Sequence, residues 1–115
     1  MGKAPLNHRT EIPPGTLYML ILRSLHRLGP MHGYGIAQHI QQLSHEVLQV
    51  EEGSLYPALQ RMLIKGWVTA DWRQSDNNRR ARYYHLTPLG RRQLTIEVTE
   101  FERVMRAITR VIEPA

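Results

Sequence analysis

No cysteine occurs in the chain, which excludes disulfide frameworks, thiol nucleophiles and thiolate zinc sites and leaves the compartment open as far as redox chemistry goes. Long apolar runs are missing too. None approaches the roughly 18 residues that a membrane span needs, and the segment MGKAPLNHRTE lacks the apolar centre of a signal peptide. A cytoplasmic protein without a membrane partner is expected. There is no glycine-rich phosphate loop, nucleophile elbow or pair of catalytic carboxylates, so neither an enzyme nor a bound cofactor is expected. Acidic residues are absent from 77 to 95, a stretch that holds Arg79, Arg80, Arg82, Arg91 and Arg92.

What is present agrees with that last imbalance. Formal charge is +5 and the pI about 10.1, which favours a polyanionic partner without separating nucleic acid from a membrane surface or an acidic protein. The 115 residues fit one domain with a modest core, a size at which oligomerisation helps. His26, His32, His39 and His45 recur at six or seven residue intervals, but no cysteine or carboxylate spacing accompanies them, and capping or solvent contact is expected before metal binding.

Residues 1–13 show no periodicity and are taken as a loose or packed-on arm. Thr16 then stands as N-cap of a first helix with Leu17, Leu20, Ile21, Leu25 and Leu28 on one side and Gly29-Pro30 as its stop. A second helix starts around MHGYG and carries Ile36, Ile40, Leu43 and Val47 on one side. The third runs from Ser54 to about Lys65 and buries Leu55, Leu59, Met62 and Leu63. Between these two helices HEVLQVEEG has the β-branched character of a short strand. From Trp67 the period becomes two: Val68, Ala70 and Trp72 face one way, and after the QSDNN turn Arg82, Tyr84 and Leu86 alternate with Tyr83 and His85. Thr87-Pro88 has the form of an N-cap and first residue of a last helix, where proline forfeits no bond. The order is that of a mainly α fold with a small β-hairpin: a winged helix-turn-helix over 14–87 followed by a C-terminal dimerisation helix over 88–115.

On the third helix Ser54, Pro57 and Arg61 are spaced by three and four and share a side, with Tyr56 and Gln60 beside them. With Ser54 as N-cap, Pro57 falls in the first turn, whose free N–H groups and dipole suit a phosphate or a groove edge. Glu51 and Glu52 are expected to turn away from such a surface. A hydrated amphipathic helix has the same pattern, so the independent support is the hairpin, whose one-sign run of arginines makes a local field. Tyr83 and Tyr84 are assigned to sheet packing.

HGYGI at 32–36, GSLYPAL at 53–59 and RYYHLTPLG at 82–90, in this order and spacing, resemble the PadR-like transcriptional regulators over about residues 14–90. The resemblance implies a homodimeric repressor whose GSLYPAL helix enters the major groove of double-stranded DNA while the wing lies along the backbone or minor groove. It places Ser54, Tyr56, Pro57 and Arg61 in the recognition element and Arg79, Arg80 and Arg82 in the wing. Tyr34, opening the second helix, is assigned to phosphate or, equally, to tight packing of the helix start. A chain that stops after a single such helix looks like the short type. Some relatives hold flat aromatic ligands against a tryptophan of the last helix; here the segment after 88 has only Phe101 as an aromatic, which puts that transfer in doubt.

Leu94, Val98, Phe101, Met105, Ile108 and Ile112 alternate steps of four and three, a heptad seam, widened by Val104 and Val111. Because a winged helix is expected to close its core without this helix, the seam is assigned to a partner subunit. Two recognition helices roughly 34 Å apart would then match a near-palindromic operator. An unidentified small-molecule effector that changes the angle between the heads is left open, since a cavity between the first and last helices and a filled interface have the same lining. The alternative function is a winged-helix module that binds protein or RNA.

Overall fold

The computed structural model describes residues 10–13 and 15–114, so the expected arm lies largely outside the described residues. Its described end forms a two-residue strand, β1 (Thr10–Glu11), parallel to β3 (Leu48–Gln49) in the segment where a short strand is expected.

The helix α1 (Leu17–Leu28) is the central element and packs against three helices and the hairpin, so its buried face is wide: Met19, Leu22 and Ser24 are buried along with Ile21 and Leu25. Leu28, expected in the core, sits past these neighbours and is exposed. Thr16 precedes the helix, but its hydroxyl donates to the Pro13 carbonyl at 2.8 Å and caps nothing. Gly29 ends the helix with φ of 79°, a conformation open to glycine, its N–H donating to the Leu25 carbonyl.

Before α2 (Gly33–Leu43) the chain makes a strand too short for periodicity to reveal, β2 (Met31–His32). His32 is also the N-cap of α2, its Nδ1 accepting from the Gly35 N–H at 3.0 Å. The helix stops at Leu43 because His45 and Glu46 take φ of 55° and 66°. Val47 therefore lies outside the helix, and Leu43, expected inside, is exposed.

The next helix, α3 (Glu52–Ile64), begins before the expected cap. Glu51 is extended, and its carbonyl accepts from Ser54 and Leu55, so Ser54 is already the third helical residue and Pro57 the sixth. Pro57 is therefore inside the helix and cannot donate the bond that would close on the Gly53 carbonyl. Both residues are on the outer face. The inner face buries Leu55, Ala58, Leu59 and Met62, while Leu63 is half-buried at its margin.

The hairpin pairs β4 (Val68–Gln74) with β5 (Arg80–Leu86), from Val68 opposite Leu86 to Gln74 opposite Arg80, and β2 adds to the other edge of β5. Val68 and Tyr84 enter the core, as the alternation implies. The last helix, α4 (Pro88–Ile112), starts as the Thr87-Pro88 pair requires: the Thr87 hydroxyl accepts from the Gly90 N–H at 2.9 Å and lies 2.7 Å from the Gly66 carbonyl. Gly90 is buried against the Trp67 carbonyl so closely that any Cβ would collide with it.

Leu94 is buried in the same core, and Val98 packs against it. The expectation that the core closes without α4 is thus corrected. The start of α4 completes the core, while Phe101, Val104, Met105, Ile108 and Ile112 remain exposed.

Candidate nucleic-acid interface

A groove of about 830 Å³ runs between the hairpin and the helix pair α2 and α3. Alternation along the strands directs Trp72, Arg82 and Tyr84 to one face, and because the hairpin projects past the core, its outer part meets α2 and α3 across open space. Tyr34 and Gln38 enter from α2, four residues apart and so on one side of the helix. Tyr56 enters from α3, its ring against Gly33, where a Cβ would come within 2.7 Å of it. Arg79, Arg80 and Arg82 line the hairpin side with Trp72.

Of the expected contact residues, Tyr34, Tyr56, Arg79, Arg80 and Arg82 therefore share one surface. Ser54 and Pro57 are exposed on α3 but do not line the groove. Arg61 is turned elsewhere: its Nε donates to the Tyr18 hydroxyl at 2.6 Å, and its guanidinium lies 5.7 Å from the Tyr18 ring centre. Tyr18 in turn meets Trp67 edge-on at 5.3 Å, with the Lys65 ammonium over the indole. Arg61 thus belongs to a cluster on the flank of α3 away from the wing.

Burial of the Tyr56 hydroxyl, and secondarily the nearby Glu52 carboxylate and Tyr84, raises its pKa above the ordinary phenol value. It remains a neutral hydroxyl that can donate to an acceptor. Glu52 lies near enough to act on the Tyr56 hydroxyl but is exposed and does not line the groove.

The arginines are held by aromatic faces. Arg80 lies 5.3 Å from the Trp72 ring centre and Arg82 5.9 Å from that of Tyr84, geometry that fixes a guanidinium without neutralising it. Among the described residues neither Arg79, Arg80 nor Arg82 forms an ion pair, and Asp76 is the one carboxylate that lines the groove. The opposite face of the hairpin differs. There Asp71 binds Arg73 at 3.1 Å and His85 at 3.2 Å, and the His85 hydrogen bond is the main cause that holds the Asp71 carboxyl below its usual pKa.

Trp72, Gln38 and His32 are not marked as contacts by the sequence. Alternation gives the facing of Trp72 but not how far beyond the core it stands, where it is 58% exposed. His32 lines the groove from the cap of α2 and meets Tyr83 edge-on at 5.2 Å. Among the described residues no three His, Cys, Asp or Glu side chains gather into a metal-binding group, and no helix is long and apolar enough to cross a membrane.

Three helices, a projecting hairpin and a long trailing helix define a winged helix-turn-helix protein. The family model of the PadR-like transcriptional regulators matches residues 21–96, and the chain belongs to that family. Uncharacterized protein X of Lysinibacillus sphaericus is 30% identical over 105 residues, covering 91% of this chain and 95% of the relative. A transcriptional regulator from Clostridium thermocellum has a similar structure, with a TM-score of 0.78 at 25% identity over 86% of this chain and 95% of the other. A PadR family regulator from Clostridium difficile gives 0.71 at 27% identity, covering 85% and 99%. The family and these structural relatives are transcriptional regulators, not enzymes.

Proposed function

We propose that this protein is a cytoplasmic repressor that binds double-stranded DNA sequence-specifically, as a homodimer on a near-palindromic operator. The observation that carries this reading is the convergence of an uncompensated arginine track with Tyr56 of α3 and Tyr34 of α2 on one surface. The arginine cations contact phosphates, and base edges are reached from the exposed side of α3 through Ser54, Tyr56 and Pro57. The repressor role follows from the family resemblance, and the operator's symmetry from the dimer.

The open stripe of α4 supports the dimer. Phe101, Val104, Met105 and Ile108 border a groove of about 430 Å³ beside Pro13, Thr16 and Met19, and a partner helix covers apolar surface of this kind. In this reading the groove is filled by the second subunit, so no small-molecule effector is needed to explain it.

The test separates anchoring from reading. Replacing Arg79 and Arg80 together with alanine should weaken binding to all duplexes alike and flatten the salt dependence by about 0.9 in log-log slope for each phosphate no longer neutralised. Tyr56→Phe should instead alter preference between sequences, scored by competition among duplex libraries. Unchanged duplex binding in both variants would favour a winged-helix module that binds protein or RNA.

A further inference from the structure

The groove beneath the wing is lined by exposed aromatic rings as well as cations. Trp72 is 58% exposed, Tyr34 66% and Tyr56 44%, and all three line the same space. In a B-form duplex each base is covered above and below by its neighbours, so a protein meets base edges, sugars and phosphates. Rings need faces to stack on, and a duplex presents none. A single strand does, because its bases can splay onto aromatic side chains while cations follow the backbone.

The charge in the groove has the matching form. Arg79, Arg80 and Arg82 succeed one another along the hairpin, giving a track and not a single point, and Asp76 is the one carboxylate against them among the described residues. Arg80 and Arg82 already rest on the faces of Trp72 and Tyr84, which orders the guanidinium groups beside the rings before anything binds. The volume of about 830 Å³ lies within the roughly 300–1,000 Å³ of ordinary ligand clefts and accommodates a short stretch of strand.

We propose that this groove binds single-stranded nucleic acid, stacking bases on Trp72 and Tyr34 while Arg79, Arg80 and Arg82 hold successive phosphates. The site does not rest on the duplex reading, but it shares Tyr34, Tyr56 and the arginines with it, so a strand and an operator compete.

The experiment is a titration of the full chain with a labelled oligothymidylate of about ten nucleotides, a length within the span of known single-strand sites. Anisotropy measures affinity at about 0.15 M salt, where long-range attraction is screened beyond about 8 Å. Wild-type protein should bind with quenching of indole emission. Trp72→Ala should bind roughly 5- to 150-fold more weakly, the ratio expected when one base loses its stacking partner, and Trp72→Phe should recover most of the affinity. Trp72→Ala also gives up the Arg80 contact and should melt a few degrees lower, whereas Trp72→Phe should stay near wild type; an unchanged helical circular dichroism spectrum, recorded in parallel, shows that both variants are folded. Equal affinity of wild type and Trp72→Ala would overturn the proposal. So would an abasic strand or thymidine monophosphate binding as tightly as the oligothymidylate, or no binding of the oligothymidylate at all. None of these results depends on whether an operator is bound.

Discussion

The first and second halves of α4 carry one continuous apolar spacing in two different surroundings. Leu94 is 4% exposed and Val98 packs on the core, while Met105 and Ile112 are 42% and 72% exposed. Length explains the division. At about 1.5 Å per residue, the 12 residues of α1 span about 18 Å and the 25 of α4 about 37 Å, so α4 outruns the helix it lies on. The hairpin repeats the contrast across its faces: the outer one pairs Arg73 and His85 with Asp71, and the inner one leaves Arg80 and Arg82 without an ion-pair partner among the described residues. Arg61, bonded to Tyr18, belongs with the satisfied set. Surfaces that have met their needs within the chain hold the fold, and those that have not are where a partner is expected.

The division can be broken most forcefully at Leu94. Leu94→Ala should cost about 2–5 kcal/mol of unfolding free energy in urea, as for other buried leucines, because it opens a cavity in the chain's own core. On the open half, Phe101→Glu with Met105→Glu should leave the helical circular dichroism intact, shift the mass in light scattering from dimer to monomer at micromolar concentration, and weaken operator binding at least tenfold. If the double variant unfolds instead, the second half of α4 serves the monomer. Arg61→Ala should lose about 0.5–1 kcal/mol of stability from its interaction with Tyr18, a figure typical of exposed cation–aromatic pairs, while sparing the salt slope of duplex binding proposed for Arg79 and Arg80.

The smallest effect is on the outer hairpin face. Asp71 has its folded pKa below the unfolded value, chiefly through His85 and then Arg73, so its contribution is present above the ordinary carboxylate pKa and lost as pH falls through the lower folded value. The melting temperature of wild type should exceed that of Asp71→Asn at neutral pH, and the two should converge in acid. Equal melting temperatures at neutral pH would mean that solvent screens the cluster completely.

Features set by neighbours in the chain are legible in the sequence. Thr87-Pro88 marks the start of α4 because capping is decided within one turn, and the hairpin appears as a change of period at Trp67. The start of α3 is not, because Ser54 is a good capping residue by type, whereas Glu51, which holds the position, makes no capping bond with its side chain. The placement of Arg61 is out of reach because Tyr18 lies 43 residues away in the chain. The exposure of Trp72 depends on how far the hairpin overhangs α2, and the split within α4 depends on the length of α1; neither is carried by spacing alone.

A dimer that uses its open surfaces on duplex DNA meets its sharpest test when bound fragments are selected from genomic DNA and the enriched site is footprinted. Two inverted half-sites are expected, with centres about 34 Å apart or a multiple of one helical turn, both protected at the same protein concentration. A single unpaired half-site bound as tightly, or no enriched duplex at all, would contradict it.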